Sequence, residues 1–201
     1  MRKIILSLTS LLILLPAIAQ KRWSVIPQAG LQISNIKNNQ DIETKPIVGY
    51  RAGAIGEYQF SQGILGNIAV QSGLFISSKG VKDNPHYVVK SHYLEVPLLL
   101  RLGIHLTQAI DIHLKAGPYF GYWIAGHSES YAPDGVSKSH KEPFYCPYDY
   151  GIEMGIGATY RHLVFNIGGN LGMYDFYIDK NIGEYFNLKN QTLHFTLGYK
   201  F

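Results

Sequence analysis

The C-terminal segment places the tightest limit on what this chain can fold into. Its last ten residues, 192–201, alternate strictly between polar and apolar side chains. In an extended strand, this spacing puts five large apolar residues on one face: Leu193, Phe195, Leu197, Tyr199 and Phe201. A soluble domain rarely ends in this way, because chain ends usually fray into water. A membrane-spanning β-barrel needs such a segment as its closing strand, so the ending predicts a barrel.

The N-terminal segment has the features of a secretory signal peptide. Two basic residues precede an apolar run over residues 4–15, and an A-x-A sequence follows at residues 17–19. The run is too short to cross a bilayer, and the small residues match a signal-peptidase site. We therefore expect residues 1–19 to be a cleaved signal peptide and residues 20–201 to form one outer-membrane β-barrel domain.

Charge, cysteine content and motif content argue against several classes of function. The chain has 18 basic and 14 acidic residues, a surplus too small and too scattered to indicate a nucleic-acid partner. Cys146 is the only cysteine, which excludes a disulfide within the chain. The histidine spacing matches no metal-ligand motif, and no Gly-x-Ser-x-Gly string marks a serine nucleophile. We expect no cofactor, no metal and no catalytic residues.

The alternation of the last strand recurs in seven earlier segments. They are longer than the 5–6 residues typical of globular strands, and long enough to cross a bilayer at a tilt. The eight predicted strands lie at about 24–34, 47–60, 65–77, 91–102, 109–124, 148–160, 163–174 and 192–201. Long connections, at about 35–46, 78–90, 125–147 and 175–190, alternate with short turns. This pattern predicts an all-β fold, an eight-stranded antiparallel up-and-down transmembrane β-barrel with both termini on the periplasmic, short-turn side.

Alternation alone does not say which face points outward. A soluble eight-stranded barrel inverts the pattern and encloses a ligand with its apolar face. Here the polar face is rich in glycine and charged residues, which suits the narrow, side-chain-filled interior of an eight-stranded barrel. The apolar face carries tyrosines near strand ends, as aromatic girdles do. We therefore expect the apolar face to contact lipid, with a soluble periplasmic ligand-binding barrel as an alternative.

The inward-facing ionisable residues are expected to form a structural network of salt bridges. Charges in a low-dielectric interior must be paired, because an isolated one is costly. The main expected members are Arg51, Glu57, Glu95, Arg101, Lys115, Glu153 and Lys200, joined by Asp111, His113, Asp149 and His194. A proton or ion path, or a catalytic cluster, is the alternative interpretation. With eight strands, side chains fill the lumen, so an open porin channel is not expected.

Three strings in the predicted strands carry a resemblance to a known family. Residues 93–101 read YLEVPLLLR, residues 116–122 read AGPYFGY, and residues 149–157 read DYGIEMGIG. With the terminal GYKF, they resemble the PorT-like outer-membrane β-barrel family of Bacteroidetes. The resemblance implies an OmpA/OmpX-like architecture in the outer membrane, with outer-membrane lipid and the outer-membrane assembly machinery as partners. By resemblance to other outer-membrane barrels, Phe201 would be the signal that this machinery recognises.

Two local features carry further expectations. Pro97 lies in mid-strand and lacks a ladder donor, which predicts a bulge or a bend. The predicted loop 125–147 contains His127, His140 and Cys146 together with several aromatic residues, and is a candidate contact surface for a partner or a glycan.

The sequence therefore predicts a non-enzymatic outer-membrane barrel with a filled lumen, whose loops serve envelope structure or bind envelope or surface partners. Three alternatives stay open: an accessory factor in protein export, since the namesake of the resembled family takes part in type IX secretion; an outer-membrane lipid-modifying enzyme; and the soluble barrel.

Overall fold

The computed structural model describes residues 22–38, 44–63, 66–83, 87–132, 135–140, 147–173 and 188–201. The predicted signal peptide lies outside these residues. The described part of the chain contains no helix long and apolar enough to cross a membrane.

The described residues form one antiparallel sheet that closes on itself. The strands are β1 (Trp23–Asn38), β2 (Thr44–Gly63), β3 (Gly66–Asp83), β4 (Tyr87–His105), β5 (Ile110–Ala132), β6 (Gly135–His140), β7 (Tyr148–Tyr160), β8 (Leu163–Gly172) and β9 (Leu188–Tyr199). Eight of them pair in a ring, and the short β6 pairs with the far end of β5. The ring closes between β1 and β9, where Leu31 lies opposite Phe195. The predicted eight-stranded barrel is confirmed.

The two faces of the wall divide as the alternation predicts. Leu31 is 61% exposed on the outside, whereas its neighbour Gln32 is fully buried inside. Aromatic side chains lie on the outer face near both barrel ends. The end near the termini has Trp23, Tyr160, Tyr199 and Phe201, and the opposite end, called the distal end below, has Tyr50, Tyr122, Tyr148 and Tyr150. An apolar exterior between aromatic bands is typical of a barrel that spans a membrane.

The strands extend further at the distal end than the sequence predicts. The segment 78–90 is not a long loop, because β3 and β4 stay paired as far as Asp83 and Tyr87. The segment 125–147 likewise contains the end of β5 and all of β6. These extensions lack the apolar alternation because they lie beyond the lipid-facing band, so the hydrophobic pattern does not reveal them.

The bulge predicted at Pro97 is not present. The β3–β4 register is the same on both sides of this residue, with Ser72 opposite Leu98 and Phe75 opposite Glu95. A proline removes a single donor, and the ladder accommodates that loss without an inserted residue. The Ser72 hydroxyl instead donates to the Pro97 carbonyl at 2.9 Å.

Irregular pairing occurs elsewhere, most notably near the distal end of β2. The β2–β3 register shifts by one residue between Pro46 and Arg51, so the regular ladder is interrupted between these two residues. In this region the Ser34 side chain of β1 bonds to the β3 backbone. Its hydroxyl accepts a hydrogen bond from the Gly80 N–H at 2.8 Å and donates one to the Gly80 carbonyl at 3.0 Å. This contact ties β3 to β1, two strands that are not neighbours in the sheet.

Candidate functional site

The polar interior contains the described ionisable side chains that are most deeply buried. Space for them comes from glycines on the inner face of the wall. A Cβ atom on Gly168 would lie 2.6 Å from Nε2 of His194, and one on Gly157 would lie 2.5 Å from Nε2 of His113. Contacts this short do not occur between real atoms, so these positions admit only glycine while the imidazoles stay in place.

The distal end of the interior is organised around Lys79. Its Nζ atom lies 2.6 Å from Oδ2 of Asp149 and 2.6 Å from Oε1 of Glu95, and all three side chains are about 1% exposed or less. The contact to Asp149 is also a hydrogen bond. The contact to Glu95 is an ion pair without hydrogen-bond geometry. The Tyr119 hydroxyl donates to Oδ1 of Asp149 at 3.1 Å. The rings of Tyr93 and Tyr119 lie 5.2 and 5.0 Å from the ammonium, within cation–π range.

The middle of the interior is organised around Arg51 and Glu153. Nη2 of Arg51 lies 2.7 Å from Oε2 of Glu153, and Nη1 lies 3.6 Å from Oε2 of Glu95. The guanidinium also lies 4.3 Å from the centre of the Phe75 ring. Lys115 approaches Oε1 of Glu153 at 3.5 Å. Asn170 and His194 complete the environment of Arg51, at 3.4 and 3.2 Å from Nη1.

The end nearest the termini is organised around Glu57. Lys200 donates to Oε1 of this carboxylate at 2.6 Å, Gln71 donates to Oε2 at 2.7 Å, and Nε of Arg101 lies 3.5 Å from Oε2. Nη1 of Arg101 donates a hydrogen bond to Oδ1 of Asn67. Lys200 directly follows β9, and Glu57 lies in β2. Their ion pair therefore links the two strands that flank β1.

The distal and middle clusters together are electrically balanced. Three cations, Lys79, Arg51 and Lys115, face three carboxylates, those of Glu95, Asp149 and Glu153. A buried ion pair is tolerated only when its partners are in contact and further hydrogen bonds satisfy them. The arrangement therefore holds fixed charges in place, and the described residues contain no group of three or more His, Cys, Asp or Glu side chains suited to a metal ion.

Comparison with known proteins identifies the family of this fold. The sequence model of the outer membrane protein beta-barrel domain matches residues 18–177. The chain belongs to this family. The narrower resemblance to PorT-like proteins stays a prediction, and no curated protein sequence matches this chain.

Members of this architecture among solved structures are similar in fold and distant in sequence. The outer membrane enzyme PagL has a TM-score of 0.51 at 9% identity, covering 88% of this chain and 97% of PagL. Ail, the attachment invasion locus protein of Yersinia pestis, has a TM-score of 0.43 at 11% identity, covering 90% of this chain and all of Ail. OprG from Pseudomonas aeruginosa has a TM-score of 0.42 at 14% identity, covering 90% and 96%.

The structure places all seven main predicted network residues on the inner face of the barrel, but it divides them into two groups of ion pairs. One group contains Arg51, Glu95, Lys115 and Glu153, and the other contains Glu57, Arg101 and Lys200. Six are almost fully buried, and the Lys200 side chain is 25% exposed at the rim. Asp111 does not join them: it pairs with His105 where both are partly exposed, beside the turn that follows β4. His113 lies inside but contacts Asn166, not a carboxylate, at 3.0 Å.

Sequence reasoning missed Lys79, because residues 78–90 read as a loop. The signal that identifies it is the inward parity of β3, since Phe75, Ser77, Lys79 and Val81 continue one face. The side chains of His127, His140 and Cys146, in the predicted contact loop, lie outside the described part of the structure.

Proposed function

We propose that this outer-membrane protein is a non-enzymatic, sealed barrel that serves envelope structure and offers its distal end to envelope or surface partners. The observation that carries this proposal is the pair of ion-pair groups in the lumen, one that extends from Lys79 to Lys115 and one around Glu57 near the termini. A solute channel needs mobile water or ions along its axis, whereas these side chains point into the lumen and are held there in ion pairs.

Enzymatic use of the same groups is disfavoured by their pairing. A general acid or base must be free to exchange a proton with substrate. The carboxylates of Glu95, Asp149 and Glu153 each face a cation and are buried from solvent. Substrate would have to displace those ion pairs to reach them.

The test is reconstitution of the full mature protein in lipid vesicles and planar bilayers. We expect no discrete conductance steps and no uptake of small sugars. As a matched comparison, the charge-balanced variant Lys79→Ala with Asp149→Ala removes the distal plug and should raise ion leak. Stable conductance steps of the unaltered protein, equal to those of the variant, would contradict a sealed lumen.

Two further measurements separate the alternatives. Release of acyl chains from lipid A by the folded protein in detergent, lost on a Ser→Ala substitution, would overturn the non-enzymatic reading. Loss of exported proteins in a deletion strain, without loss of envelope integrity, would instead indicate the export role that the family resemblance implies.

A further inference from the structure

Three lysines share one patch on the outer face of the wall at the distal end. Lys45 of β2 lies directly opposite Lys82 of β3 in the ladder. Lys82 is opposite Val88 of β4, and Lys90 lies two residues further along β4, on the same face. Lys79 and Val81 point into the barrel, so the alternation of β3 directs Lys82 outward. Cross-strand and diagonal neighbours of this kind are about 5–8 Å apart, within reach of long side chains.

The charge of this lysine patch, Lys45, Lys82 and Lys90, is not neutralised by the described side chains. None of the three ammonium groups forms an ion pair with a described residue. Glu129, whose side chain lies outside the described part of the structure, is opposite Val88 of β4 and Lys138 of β6 in the ladder. Like charges directly opposite each other destabilise a sheet, so the patch gains from an anion that lies between the lysines.

The level of the patch in the wall indicates where that anion comes from. His92 lies two residues after Lys90 in β4, towards the end near the termini, and its Nδ1 lies 3.3 Å from the Tyr50 hydroxyl. Tyr50 belongs to the distal aromatic band, and such bands mark the boundary between hydrocarbon and headgroups. The lysine patch lies just beyond this boundary, at headgroup level, while the wall below it is apolar, as shown by Val48 and Ile76 on the outer face.

We propose that the lysine patch binds the phosphate groups of a phosphorylated glycolipid in the outer leaflet. Ammonium groups form strong charge-assisted hydrogen bonds with phosphate oxygens, and the acyl chains of the same molecule would lie along the apolar wall below. The proposal is independent of whether the lumen is sealed. It depends on the orientation in which the termini face the periplasm.

The test uses the full mature protein in phosphatidylcholine nanodiscs that contain bisphosphorylated lipid A. Native mass spectrometry after detergent release counts the lipid A molecules retained per protein. A lysine near an anionic surface contributes roughly a fivefold factor in affinity, so Lys45→Gln, Lys82→Gln and Lys90→Gln together should weaken retention on the order of 100-fold. The control variant, Arg22→Gln with Arg161→Gln, removes exposed cations at the opposite end and should retain lipid A as the unaltered protein does.

Two arms identify the ligand group. With dephosphorylated lipid A, the unaltered protein and the triple variant should behave alike, and inorganic phosphate should not displace the bound lipid. Equal retention of bisphosphorylated lipid A by the unaltered protein and the triple variant would overturn the proposal. So would a triple variant that loses as much affinity for dephosphorylated lipid A as for the bisphosphorylated form, or ready displacement of the bound lipid by inorganic phosphate. If the triple variant fails to show heat-modifiable migration, Lys82→Gln alone is measured, and a loss below twofold counts against the proposal.

Discussion

Replacing Lys79 with methionine tests whether the interior depends on paired charges. The substitution keeps an unbranched apolar side chain, one heavy atom shorter than lysine, but leaves Asp149 and Glu95 without their shared cation. Asp149 keeps the hydrogen bond from Tyr119, and Glu95 keeps Arg51 at 3.6 Å. Removing one partner of a buried ion pair costs about 3–5 kcal/mol, and these residual contacts favour the lower end, about 3 kcal/mol.

The assay is urea unfolding of the barrel in detergent micelles, followed by the fluorescence of its two tryptophans. The double variant Lys79→Met with Asp149→Asn removes the hydrogen-bonded pair together and restores charge balance, so it should recover at least half of the loss. Lys45→Met, at an exposed position, should leave the unfolding midpoint nearly unchanged. A loss below about 1 kcal/mol for Lys79→Met, or a double variant no more stable than the single one, would refute the argument.

Three further predictions concern the wall and its end. Leu98→Arg, on the lipid face, should weaken insertion into vesicles by about 2–4 kcal/mol, whereas Leu106→Arg beside the turn should have a much smaller effect; equal effects would contradict the assigned faces. Gly168→Ala should lower the free energy of unfolding by about 1–3 kcal/mol through overpacking, while Gly56→Ala, whose nearest contact would be 3.7 Å, serves as the tolerant control. Phe201→Ala should reduce the heat-modifiable fraction in cells while refolding in detergent stays normal, and unchanged assembly in cells would contradict the signal role expected of this residue.

The sequence reveals the membrane-facing part of the fold because two solvents act on the two faces of each strand. Lipid selects residues such as Leu98 and Leu114 at every second position, and the narrow lumen selects charged residues and glycine between them. That alternation is sufficient to identify the eight strands and the seven main network residues. The alternation disappears beyond the lipid-facing band. For this reason the distal parts of β3 and β4 resemble a loop in the sequence, and Lys79 is not recognised as an interior residue.

Depth and pairing are harder to read than faces. Asp111 has the inward parity of β5, yet it is the second residue of that strand and lies at the rim. Partner choice depends on register around the whole barrel, so no local pattern joins Arg51 to Glu153, 102 positions apart in the chain. Pro97 shows the converse error, because its missing donor predicts a bulge or a bend, and the β3–β4 register contains no bulge at this residue.

The pairing of Lys200 with Glu57 has a consequence for how the last strand finds its register. If β9 slipped by two residues against β1, every apolar side chain would still face the bilayer, so lipid contact would not distinguish the slipped barrel from the correct one. The slip would, however, move Lys200 away from Glu57 and His194 away from Arg51, so an ion pair and a hydrogen bond of the interior would be lost. The polar contacts of the interior therefore discriminate against an alignment error that the lipid contacts of the outer face tolerate.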